Sequence, residues 1–126
     1  MAATLADAKI STILVPDASL FALMSRVNKV VLGAHAVQAN GGIIGIAGST
    51  LAAMAARAHS TPVIVCSGQF KLTPSWNMHQ QFATLDVGDP EAVLPSTDPN
   101  VPEDVDVINP WFDYVPPEHI NVLVTN

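Results

Sequence analysis

Apolar positions along the first two-thirds of the chain switch repeatedly between two spacings. Ile13–Val15 is a short apolar run closed by Pro16 and Asp17, which predicts a parallel strand. Leu20, Phe21, Met24 and Val27 then recur at helical spacing, predicting a helix over 18–27. Lys29–Leu32 predicts a second strand. A glycine-rich loop follows and opens onto STLAAMAARAH, which predicts a helix over 49–59 with Ser49 as its N-cap. Pro62–Cys66, apolar and largely β-branched, reads as a third strand buried on both faces.

This alternation implies parallel strands joined by right-handed crossovers. The fold class expected is therefore α/β, a Rossmann-like open sheet of mainly parallel strands flanked by helices. The pattern then lapses. Residues 67–110 keep no period, and 74–108 form a Pro- and Asp-rich excursion. Pro116-Pro117-Glu118 reads as the first turn of a short helix, and Asn121–Thr125 as a last, buried-type strand. Because nothing follows that strand, residues 1–126 are expected to be a single domain cut from a longer subunit.

Composition narrows the function classes. With 49% apolar and only 13% charged residues, the chain is expected to fold and to have part of its apolar surface covered by partners. All five basic residues lie at or before Lys71, and the acidic residues beyond it face no Lys or Arg. A nucleic-acid binder needs a basic stripe to neutralise phosphates, so direct nucleic-acid binding is not expected. No apolar run reaches the ~18 residues of a membrane span, and no secretory signal pattern opens the chain. Cys66 is the single cysteine, which excludes an intrachain disulfide. The compartment expected is the cytosol.

The loop in VVLGAHAVQANGGIIGIAGS raises the question of chemistry. Gly41, Gly42, Gly45 and Gly48 match neither the dinucleotide fingerprint nor the Walker loop. What the loop offers is the N–H groups at the start of the following helix, which suit an anion. His35 falls just past a strand's carboxyl end, where open α/β sheets bind ligands. Cys66 falls at the same rim, read as an inert buried thiol in preference to a nucleophile. His59, His79 and His119 have no metal-ligand spacing, so no metal or cofactor is expected. Asp17, Asn40, Lys71, Asn109 and Asp113 stand beside strand ends or turns, with Lys71 and Asp113 a candidate ion pair or pocket remnant.

Three stretches carry a resemblance: SRVNKVVLGAHAVQANGG, HSTPVIVCSGQFKLTP and NPWFDYVPPEHI. They are similar to the family of translation initiation factor 2B alpha, beta and delta subunits, above all to the C-terminal domain of beta subunits. That superfamily includes methylthioribose-1-phosphate isomerase. The isomerases carry G-A-D-R-[apolar]-x-x-N-G-D-x-x-N-K-x-G-[ST], which falls here on residues 33–49. The glycines and Asn40 persist. The resemblance implies that the isomerases' catalytic Asp is replaced by His35, their Arg by Ala36, their second Asp by Gly42, and their Asn-Lys pair by Gly45-Ile46.

What the resemblance implies is a non-catalytic regulatory subunit of the exchange factor that acts on initiation factor 2. Its expected partners are the other factor 2B subunits, initiation factor 2 and, for the isolated domain, a second copy. The alternative is an isomerase-like enzyme or a sensor of sugar phosphates or nucleotides. Its pocket would be lined by Asp17, His35, Asn40, Ser49, Lys71, Asn109 and Asp113.

Overall fold

The computed structural model describes residues 1–75, 86–95, 97 and 105–126. Most of the 74–108 excursion, and His79 with it, lies outside the described residues. Helix α1 (Ala2–Asp7), which the apolar pattern did not anticipate, buries none of its residues. After it, Ile13 and Leu14 are exposed and residues 10–16 form no strand. An isolated apolar triplet has no sheet neighbour to take up its backbone groups, so the expected first strand is not formed.

A 3-10 turn at Asp17–Ser19 leads into α2 (Leu20–Met24), shorter than the helix expected over 18–27. Met24 is its buried residue. Phe21, on the expected apolar stripe, is instead exposed and meets the His59 ring edge-on at 4.9 Å. β1 (Val30–Gly33) follows.

The glycine-rich stretch is not a simple loop. It folds as a hairpin of β2 (Ala36–Val37) and β3 (Ile43–Ile46), paired antiparallel. Asn40 turns it: its Oδ1 accepts the Gly42 N–H at 2.9 Å, and the Gln38 N–H donates to Gly42 O at 2.8 Å. Asn-Gly at the tip of two apolar runs is a hairpin signal that outweighs the phosphate-loop reading.

α3 (Ser49–Ala58) is the longest helix described. After it come β4 (Val63–Cys66), β5 (Phe112–Val115), a 3-10 turn at Pro117–His119 and β6 (Val122–Val124). The parallel sheet has the order β1-β4-β6, with Val30 opposite Val63 and Val65 opposite Leu123. The second sheet, order β2-β3-β5, is antiparallel. The parallel strands flanked by helices give the α/β fold expected, and the hairpin sheet adds a second layer at the rim.

α3 packs against α2 and against β1, β3 and β5. Ala52, Ala53, Ala55 and Ala56 are buried on its inner face, and their small side chains let the helix lie close to both sheets. Ile43, Val63, Val65 and Val115 complete the core with Met24. β4 is buried on one face only, through Val63 and Val65, while Cys66 is exposed. β6 is an edge strand exposed along its whole length, not the buried strand its composition suggests.

Candidate functional site

The carboxyl end of β1 opens into a cavity of about 800 Å³. β1 delivers Val31, Leu32 and Gly33 to it, Ala34 follows them, β3 delivers Ile46, and the run before β5 delivers Asn109, Pro110 and Trp111. His35, Ser49 and Phe112 complete most of the lining. No Lys or Arg lines it. The walls are mainly aliphatic and aromatic, a surface that suits an apolar group better than a dianion.

His35 is exposed, and its ring lies 4.5 Å from that of Phe112 at 30°. Its backbone N–H donates to Ile44 O at 2.7 Å, which continues the hairpin pairing and fixes the imidazole at the cavity mouth. Asn109 donates through Nδ2 to Asp89 O at 2.9 Å and accepts the Gly88 N–H at 2.7 Å. It holds residues 86–95 onto the approach to β5. Ser49 is 4% exposed and packs tightly on the hairpin. A Cβ placed on Gly45 would lie 2.7 Å from Ser49 Oγ, so the hairpin reaches α3 only with glycine at that position.

The N-terminus of α3 has a partner within the chain. The N-cap is Gly48, at φ 93°, rather than Ser49, and its left-handed backbone is open to glycine at low cost. The Gly48 and Thr50 N–H groups donate to Asp113 Oδ2 at 2.7 and 3.2 Å. Thr50 Oγ1 donates to Tyr114 O at 2.8 Å. A carboxylate from β5 thus occupies two of the N–H groups that a bound anion would use. Asp17 adds a second carboxylate nearby, since its Oδ2 lies 3.8 Å from the site a Gly48 Cβ would take.

The other two candidate residues serve the framework. Asn40 donates from Nδ2 to the Tyr114 hydroxyl at 2.7 Å, bracing the hairpin against β5. Lys71 donates from Nζ to Ala34 O at 2.6 Å and lies 6.0 Å from the Phe70 ring centre. Lys71 and Asp113 therefore have separate partners and do not form the ion pair considered from the sequence. His35, Ser49 and Asn109 share the cavity; Asp17 and Asp113 flank the adjoining helix end; Asn40 and Lys71 do not line it. Sequence reasoning missed Trp111, Phe112, Val31 and Ile46, though Trp111 and Phe112 stand in the NPWFDY stretch that carried the resemblance.

Cys66 is exposed at the carboxyl end of β4, where a buried thiol was expected. Its strand alternates, with Val63 and Val65 buried and Cys66 on the other, more open face. Among the described residues no group of three or more His, Cys, Asp or Glu is arranged to hold a metal ion. No helix among them is long and apolar enough to cross a membrane.

The model of the initiation factor 2 subunit family matches residues 1–126. The chain belongs to this family. It is 40% identical over 126 residues to translation initiation factor eIF2B subunit beta of Schizosaccharomyces pombe, and 42% identical over 125 residues to that of Dictyostelium discoideum. These matches cover 100% and 99% of this chain and 32% of each relative, so the chain spans about a third of their length. It is also 34% identical to ribose 1,5-bisphosphate isomerase of Pyrococcus furiosus, over 96% of this chain and 37% of that protein.

Among solved structures, the tetrameric eIF2B-beta2-delta2 complex from Chaetomium thermophilum matches with a TM-score of 0.66 and 31% identity. That match covers 98% of this chain and 33% of the other. Translation initiation factor eIF-2B of Pyrococcus horikoshii matches with a TM-score of 0.78 at 20% identity, over 98% of this chain and 40% of the other, a likeness of fold.

Proposed function

We propose that the chain is part of a beta-type regulatory subunit of the exchange factor for initiation factor 2, acting in the cytosol without catalysing a reaction itself. The observation that carries this reading is identity of 40% and above, spread over the whole chain, to eIF2B beta subunits. Its work is assembly with the other subunits, the delta subunit foremost, and recognition of initiation factor 2. Exposed Leu51 and Met54 on α3, and Val122–Val124 on the edge strand, are apolar surface of the kind that assembly covers.

The rim chemistry supports a non-catalytic role. Aldose–ketose isomerisation needs an acid and a base placed on either side of the substrate. On the resemblance, His35 would stand where the isomerase pattern has its catalytic Asp, and Gly45-Ile46 where it has Asn-Lys. The cavity lining holds no Lys or Arg to meet a phosphate. Nucleotide release from initiation factor 2 tests the proposal, with exchange factor assembled with and without the full-length subunit. Release that depends on the subunit supports it. Unchanged release, together with failure to join the complex, overturns it.

A ligand-binding reading rests on the 800 Å³ rim cavity and on the isomerase likeness. A native-state ligand at a hundred times its Kd stabilises by about 2.7 kcal/mol, a rise in Tm that is easily read. The regulatory reading expects millimolar ribose phosphates and nucleotides to leave the rim unaffected, with no change at His35, Ser49 or Asn109. A saturable response at those residues favours the sensor.

A further inference from the structure

We propose that the opposite, amino-terminal end of the parallel sheet carries a weak phosphate-binding site built on Arg57, His119 and Asn121. A separate cavity of about 270 Å³ lies there, lined by these residues together with Ser60, Thr61 and Glu118. It forms where α3 ends, where β4 begins and where the turn at Pro117–His119 meets β6.

The chemistry of the lining is rich in donors. Arg57 Nη1 lies 3.3 Å from His119 Nδ1. Arginine has no acceptor atom, so for this contact to be a hydrogen bond Nδ1 accepts, which puts the ring hydrogen on Nε2. Asn121 uses its Oδ1 to accept the Val63 N–H at 2.8 Å, which commits its oxygen to β4 and leaves its NH2 as a donor. The rest of the Arg57 guanidinium, His119 Nε2–H and Asn121 Nδ2 have no acceptor among the described residues. Arg57 forms no ion pair there either. Three kinds of N–H donor around one small cavity, one of them a guanidinium whose planar fork matches phosphate oxygens, call for an anion with several acceptor oxygens.

Two features oppose the anion and set its strength. Glu118 lines the same cavity, and the negative end of the α3 dipole falls at Arg57. Binding is therefore expected in the millimolar range, suited to a phosphate carried on a larger partner that supplies further contacts. This site is independent of the rim cavity, and neither depends on the other for its test.

Amide NMR of the chain, titrated with sodium phosphate against sodium chloride at matched ionic strength, tests it. Saturable shifts are expected at Arg57, Ser60–Val63 and Glu118–Asn121. Arg57→Gln should weaken binding about tenfold, the loss of a charge-assisted hydrogen bond. Glu118→Gln, on an exposed side chain, should tighten it. Ribose 5-phosphate and O-phosphoserine run alongside identify the carrier: tighter binding by either supports the site and names its source. The proposal is overturned if phosphate gives no saturable shift, if Arg57→Gln binds as the parent does, or if the shifts centre on His35, Ser49 and Asn109 instead.

Discussion

The Asp113 carboxylate closes the N-terminus of α3 by accepting the Gly48 N–H at 2.7 Å. The two residues belong to different layers, one on β5 and one at the helix start, so this bond ties the hairpin sheet to the helix that the parallel sheet also uses. Capping from another element replaces the local side-chain cap, which α3 lacks. Removing it strands two N–H groups. Asp113→Ala is expected to destabilise the fold by about 1–2 kcal/mol, read as a lower urea midpoint with unchanged m-value.

Gly45 and Ser49 meet where the hairpin presses on α3. A methyl group at Gly45 would sit 2.7 Å from Ser49 Oγ and 2.9 Å from its Cβ, inside a buried contact with little room to yield. Gly45→Ala is expected to cost about 1–3 kcal/mol in thermal or urea unfolding. The double variant with Ser49→Gly should recover part of that loss, which separates the clash from a backbone effect.

Lys71 is a framework donor. Its ammonium reaches Ala34 O at 2.6 Å, just where β1 passes into the hairpin. Lys71→Met keeps the length of the stem and removes the bond, with an expected loss of about 1 kcal/mol after allowance for the partial exposure of the site. Binding of sugar phosphates should be no weaker than in the parent chain. A ligand affinity that collapses in Lys71→Met would return Lys71 to the pocket.

Ile43, on β3, is fully buried in the core. Ile43→Ala is expected to cost about 2–5 kcal/mol, enough to threaten a small domain at 37 °C. Equilibrium unfolding at lower temperature measures it.

The parallel framework was legible because its signals are local. The β4 run, the α3 stripe and the Lys29–Leu32 strand each carry their period within a few residues. The hairpin was hidden by its glycines, which suggested a phosphate loop while Asn40-Gly41 was already marking a turn. Ile13–Val15 has strand composition, but a strand exists only with a neighbour, and composition does not name one. The site was half legible for the same reason. His35 and Asn109 were found by their positions at strand ends, whereas the pairing of Asp113 with Gly48 spans 65 positions and becomes visible only when β5 lies beside β3.

We propose above all that this chain belongs to an assembling, regulatory subunit. Sedimentation of the full-length protein mixed with the eIF2B delta subunit tests it most directly, with each run alone as reference. The account predicts a joint species heavier than either partner, formed with or without sugar phosphates present. Independent sedimentation of the two at micromolar concentration, with turnover of a ribose phosphate by the full-length protein, would contradict it.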